Sequence, residues 1–317
     1  RLEYAALRAF LGILAPLGVR RAARVAGCIA RFGYWPLGIR RGVVERQVAA
    51  AFPEFDPATV RRVAREAYDN LGRVAVEAAI ASRQGPAGVR ALFVDSPDWA
   101  IVERALAQGR GVAFVAGHLG NWELSGGYLA ARGVPVHAIA RGMSNPLADR
   151  FFRRTREQLG MRVMHDQEAV RKVPRAFRNA ESVGFLSDQA TVGLASSFVP
   201  FFGRPAKTPR GAAVFAIRAD VPVVLIQALR QADGRISGQM FFDHSVQRSS
   251  RLLNLLQIGD ILRMTVGFGI LLQHFAEAQD VVHRRAHVVT HLRQCIDSLL
   301  GRGAHDRPVR SSCCVIF

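Results

Sequence analysis

Residues 112–116, Val-Ala-Phe-Val-Ala, are wholly apolar, partly β-branched and bounded by Gly111 and Gly117. So short an apolar run, with no alternation, suits a strand buried on both faces. Such a strand needs helices above and below it, which commits the chain to a covered, largely parallel sheet. The flanking sequence keeps the required rhythm. Strands are expected at 89–94, 134–140, 162–164, 182–187 and 222–228, with helices at 98–108, 145–159, 168–179 and 209–219. Residues 235–242 read as the hairpin partner of 222–228 across Ala232-Asp-Gly234. The predicted fold class is α/β, a mixed but largely parallel sheet covered by helices. Two amphipathic helices, 39–52 and 57–80, lead into it, and Asp56-Pro57 marks the start of the second.

His118 stands just past the central strand, and Asn121 is placed to cap a helix through Trp122, Leu124 and Tyr128. Polar groups there occupy the carboxyl edge of the sheet, where α/β folds bind ligands. On one continuous helix the spacing from His118 to Glu123 would separate them by about 140°. They meet only if His118 lies in the turn and Glu123 near the helix start. In that arrangement Glu123 accepts the Nδ1 proton and leaves Nε2 free as a base. The residues alone also allow a histidine hydrogen-bonded in a glycine turn, with a purely structural role. Other chemistries fit badly. Ser125 lacks the glycine two residues earlier that a nucleophile elbow requires. Gly117 to Gly120 lacks the Gly-Lys-Ser/Thr of a phosphate loop, and His118 has no H-E-x-x-H partner for zinc.

Gly117-His-Leu-Gly-Asn-Trp-Glu-Leu124 resembles the H-x4-D/E motif of lysophospholipid-type acyltransferases. Further matches follow in order: Arg46-Gln-Val-Ala-Ala-Ala-Phe-Pro53, Asn145-Pro146 with Arg156 downstream, Ser187-Asp188-Gln189, and Phe198-Val-Pro-Phe-Phe-Gly203. Over residues 40–245 the chain is similar to the bacterial lipid A late (lauroyl/myristoyl) acyltransferases, relatives of the mycobacterial phosphatidylinositol mannoside acyltransferases. The resemblance implies a glycerol-3-phosphate acyltransferase-like domain at the cytoplasmic face of the bacterial inner membrane. It implies transfer of a fatty acyl group from acyl carrier protein to a hydroxyl of a phosphorylated glycolipid such as a lipid A precursor. Transfer from acyl-CoA to another glycolipid is the alternative within the fold, and a non-catalytic lipid-binding membrane protein is the alternative outside it. A thioester is already activated, so no metal or cofactor is expected.

By the same resemblance His118 and Glu123 form the catalytic pair. Arg156 falls on the family's essential arginine and Asp188 on its D-Q/D-H aspartate, which is expected to orient Arg156 or the acceptor. Arg141, Asn145, Gln189 and Arg210 complete the expected substrate-binding set, Arg210 as a phosphate holder at a helix N-terminus. Arg150, Arg153, Arg154 and Arg156 lie on one expected helix, either as a phosphate-gripping cluster or as a solvated basic face. Phe198, Phe201 and Phe202 are expected as core or as the wall of an acyl-chain groove.

The net charge of +18 favours an anionic partner, and of the 43 basic residues only Lys172 and Lys207 are lysines. With no zinc-finger spacing and no RNP-like motif, nucleic acid is not expected, and a membrane surface or phosphorylated lipid fits better. Leu2 to Val19 is apolar apart from Glu3 and Arg8, and Arg20, Arg21 and Arg24 follow. Residues 1–40 are therefore expected as a membrane-associated segment, with an ordinary buried helix as the alternative. The acyltransferase unit is expected over 41–245, including a helical lead-in at 41–80. Residues 246–317 are expected to diverge from the family, with His283-Arg284-Arg285 lacking the tryptophan that the resemblance would place before it. Cys28, Cys295, Cys313 and Cys314 have no metal-ligand spacing and read as reduced thiols.

Overall fold

The computed structural model describes residues 2–189 and 195–242. Four helices lead: α1 (Leu2–Leu14), α2 (Gly18–Tyr34), α3 (Arg41–Ala51) and α4 (Pro57–Ala81). There follow α5 (Gly85–Leu92), β1 (Phe93–Val94), α6 (Trp99–Leu106), β2 (Ala113–Ala116), α7 (Trp122–Ala131) and β3 (Val136–Ala140). Then come α8 (Pro146–Gln158), β4 (Arg162–His165), α9 (Ala169–Arg178) and β5 (Ser182–Leu186). The described chain ends with β6 (Ser196–Phe201), β7 (Arg204–Pro209), α10 (Gly211–Ala219), β8 (Val223–Arg230) and β9 (Ile236–Phe242).

Seven strands form one sheet in the order β1-β9-β8-β2-β5-β3-β4, and only β8–β9 is antiparallel. The apolar run after Gly111 forms β2, flanked by β8 and β5 and buried along its whole length. Its period of two splits it between two cores. Ala113 and Val115 pack with Val183, Val223 and residues of α9 and α10. Phe114 and Ala116 pack on the other face with Leu124, Tyr128 and Met240. The fold is thus the covered α/β sheet that the sequence predicts.

Two local expectations give way. The strand expected at 89–94 is the end of α5 followed by the two-residue β1. Pro86 in the first turn suits a helix start, and Val89 is fully buried against the Gly127 face of α7, so packing overrides its β-branched preference. Residues 198–203 belong to the β6–β7 hairpin, whose turn places Phe202 against Phe52 with ring centroids 5.8 Å apart. Because β7 runs to Pro209, the helix expected from 209 begins at Gly211.

The leading helices share cores with the sheet's cover. α1 and α2 meet the second half of α4 through Leu11, Leu14, Ala22, Ala26, Val76 and Ile80. Leu2–Tyr34 is long and apolar enough to cross a membrane, with a mean hydropathy of 1.4 over 18 residues, by length and composition alone. The segment expected to diverge, 246–317, lies outside the described residues, as do Cys295, Cys313 and Cys314.

Candidate active site

Strand register builds the site. β2 and β5 are parallel neighbours with Ala116 opposite Leu186, and the Ser187 N–H donates to Ala116 O, carrying the pairing one step further. His118 and Asp188 each lie two residues past their strand, so they arrive side by side at the carboxyl edge. Asp188 holds His118 twice. Its Oδ2 accepts from the His118 backbone N–H at 2.7 Å, and its Oδ1 lies 2.9 Å from Nδ1. An ionised carboxylate only accepts, so Nδ1 is the donor of this contact, and in the neutral imidazole the lone pair is then on Nε2. Both side chains remain reachable, at 26% and 21% exposure. The Trp122 ring stands beside the imidazole, centroid to centroid 5.0 Å. A Cβ on Gly117 would come within 3.2 Å of Asp188 Oδ2, so glycine lets the carboxylate close on the turn.

Glu123 has a different partner. Arg156 donates from Nε to Oε2 at 2.9 Å and from Nη2 to Oε1 at 2.6 Å, a bidentate pair. Burial works against the charge on Arg156, but the hydrogen bonds and charge of Glu123 outweigh it and hold the guanidinium pKa above its ordinary value. The two expected links are therefore exchanged. Asp188, not Glu123, is the carboxylate hydrogen-bonded to His118 Nδ1, and Glu123, not Asp188, holds Arg156. The cause is positional. Glu123 sits in the first turn of α7, where it meets Arg156 of α8, while parallel register delivers Asp188 to the histidine.

The turn carrying His118 is braced from β8 and α4. The Asn121 N–H donates to Ala228 O at 2.8 Å, and Gln227 Nε2 donates to Leu119 O at 2.9 Å. Gly120 has φ +59°, and a Cβ there would lie 2.0 Å from Ala228 O, so only glycine permits this approach. Asn121 caps α7 by accepting from the Leu124 N–H at 3.0 Å, as its position predicts. Its Nδ2 also donates to Glu77 Oε2 at 2.8 Å. Glu77 is buried and accepts from Arg230 Nε at 2.9 Å and Nη2 at 2.7 Å, and Arg230 Nη1 donates to Asn70 Oδ1 at 3.0 Å.

Sequence reasoning singled out none of Asn70, Glu77, Gln227 or Arg230. A signal existed: Glu77 is the one acid in the apolar run 74–81, and Gln227 the one polar residue in 223–229. Isolated polar groups in buried runs need partners.

The remaining expected residues make none of the hydrogen bonds that join these two pairs. Arg141 is exposed in the loop after β3. Asn145 caps α8, accepting from the Leu147 and Ala148 N–H groups at 3.1 and 3.4 Å, and donates to Glu3 at 3.2 Å. Gln189 is exposed beside Asp188, and Arg210 occupies the cap position of α10 without a side-chain cap bond. Among the described residues no three His, Cys, Asp or Glu side chains gather as metal ligands. A family model described as bacterial lipid A biosynthesis acyltransferase matches residues 3–256, well over half of the chain. A comparison with curated proteins finds no match.

Proposed function

The chain belongs to the bacterial lipid A biosynthesis acyltransferase family, and from that premise we propose that it moves a fatty acyl group from acyl carrier protein to a hydroxyl of a phosphorylated lipid A precursor. The observation that carries the mechanism is the Asp188–His118 pair, a carboxylate on Nδ1 that leaves Nε2 of a neutral imidazole free. His118 Nε2 accepts the proton of the acceptor hydroxyl as its oxygen attacks the thioester carbonyl. The tetrahedral intermediate collapses with loss of the thiolate, which takes the proton back from Nε2. One C–O bond forms, one C–S bond breaks, and the products are the ester and the free thiol. Asp188 fixes the tautomer and stabilises the imidazolium while it exists.

Glu123 acts through Arg156. A guanidinium has five N–H donors, and with two given to Glu123 the rest are assigned to a phosphate of the acceptor. Arg141, Gln189 and Arg210 belong to the same acceptor surface, and Asn145 supports it by starting α8. The phenylalanines of the β6–β7 hairpin are assigned to the acyl chain. The protein works at the cytoplasmic face of the inner membrane, with the exposed Arg20, Arg21 and Arg24 meeting anionic headgroups after the apolar α1.

The test is acyl transfer by the purified chain from labelled acyl carrier protein, or from acyl-CoA, to detergent-dispersed lipid A precursors. Transfer from the carrier protein that disappears in His118→Ala is the expected result. Preference for acyl-CoA would overturn the donor, and unchanged transfer in His118→Ala would overturn the mechanism.

A further inference from the structure

A second cationic feature lies where the end of α2, the 35–40 turn, the start of α3 and the first half of α4 meet. A groove of about 740 Å³ there is lined by Arg31, Arg41, Arg61, Arg62 and Arg65. Its carboxylates are already engaged. Glu45 accepts from Arg41 at 2.8 Å and from the Tyr34 hydroxyl at 2.6 Å. Asp69 is shared between Arg31 and Arg73, and Glu66 pairs with Arg62 at 3.3 Å. Among the described residues Arg61 and Arg65 have no carboxylate within 4.0 Å. Arg31 Nε is buried with no hydrogen-bond partner. The groove therefore carries positive charge that its own acids do not neutralise.

Its rim is unusual for a merely solvated basic surface. Phe32 and Trp35 line it at 58% and 68% exposure, and Leu37 and Ile39, further along the same turn, are also more than half exposed. Cations beneath a rim of tryptophan, phenylalanine and aliphatic side chains match the boundary between lipid headgroups and acyl chains. An acidic protein or a nucleic acid would meet the arginines but would leave Leu37 and Ile39 in water. The rim also continues the exposed apolar residues Val25 and Ile29 of α2, within the stretch apolar enough for a membrane. The groove is not the acceptor site proposed above. Arg65 precedes Glu77, which braces the His118 turn, by a length of α4 that rises about 18 Å.

We propose that this groove is a second, non-catalytic site for the phosphate of an anionic membrane lipid, held by Arg61 and Arg65 with Phe32 and Trp35 in the headgroup boundary. It stands independently of the acyl-transfer chemistry. The full chain in non-ionic detergent is titrated by calorimetry with dihexanoyl phosphatidylglycerol, dihexanoyl phosphatidylcholine and inorganic phosphate, using His118→Ala as a second background. Phosphatidylglycerol is expected to bind best in both backgrounds. Arg61→Gln with Arg65→Gln weakens it at least about tenfold, the scale of a lost charge-assisted contact. Both residues are exposed, and glutamine keeps helix propensity, so circular dichroism should be unchanged. The charge-matched pair Arg171→Gln with Arg178→Gln, exposed on α9, leaves the affinity in place. Equal weakening by both pairs would mean net charge alone and would overturn the site. Equal affinity for phosphatidylcholine, or for inorganic phosphate, would overturn an anionic-lipid site as well.

Discussion

Glu123 and Asp188 are both carboxylates of the expected site, yet the backbone gives them different partners. Glu123 is committed to a bidentate pair with a fixed positive charge, and Asp188 to an imidazole of similar burial, which can be neutral. Removing each should therefore leave a different mark. Glu123→Ala strands Arg156 and should lower folding stability by about 3 kcal/mol, the scale for breaking a buried ion pair. Asp188→Asn should cost little stability while turnover collapses, and thermal unfolding beside kinetics separates the two. The sequence made both acids visible, Glu123 by its place in H-x4-E and Asp188 by its place after an apolar run. It did not reveal which acid served which partner, because that depends on the β2–β5 register. Spacing along one segment carries no information about pairing between segments far apart in sequence.

At the scale of elements, the His118 turn owes its shape to neighbours remote in the chain. Asn121 both caps α7 and donates to Glu77, so Asn121→Ala removes a cap and leaves a buried carboxylate one partner short. A loss of about 2 kcal/mol or more follows from those two effects, measurable by chemical denaturation. At the opposite edge of the sheet, Glu181 joins β5 to its neighbours through His137 at 2.8 Å and through Arg162. Burial pushes the Glu181 pKa up, but His137 and Arg162 outweigh it and hold the value below the ordinary 4.5. A depressed carboxylate stabilises the fold above its unfolded pKa and loses that contribution as pH falls through its folded value. Glu181→Gln should accordingly melt below the wild type at pH 7, and the gap should close as pH drops beneath 4.5. Most elements were legible because their periodicity was clean, from Asp56-Pro57 at the start of α4 to Asn145-Pro146 at α8. The 89–94 segment misled because Val89 and Phe93 suit a strand locally, while the surface of α7 rewards a helix. The β6–β7 hairpin was hidden because its phenylalanines show no strict alternation.

For the molecule as a whole, the sheet supplies a rigid edge, and in the proposed reading the leading helices turn it toward lipid. The apolar N-terminus was plain in the sequence, but not that Leu11, Leu14 and Ala22 pack onto α4. Apolar residues that face protein and those that face a bilayer are alike in composition. Replacing Arg20, Arg21 and Arg24 together with glutamine should weaken binding to anionic vesicles on the order of a hundredfold, at about 1 kcal/mol per arginine near the surface. Flotation against vesicles of increasing anionic content reads this, and high salt should erase the difference. Around that frame the central claim is that β2 and β5 deliver one catalytic unit, His118 with Asp188, while Glu123 serves through Arg156. Turnover in a pair of double-mutant cycles tests this most directly, with transfer from labelled acyl carrier protein as the readout. His118→Ala should lose about 10²–10⁴ in kcat. Adding Asp188→Ala to it should cost almost nothing further, since members of one unit are strongly non-additive. Adding Glu123→Ala should cost nearly its full separate effect. Full additivity of Asp188 with His118, together with non-additivity of Glu123 with His118, would contradict the assignment.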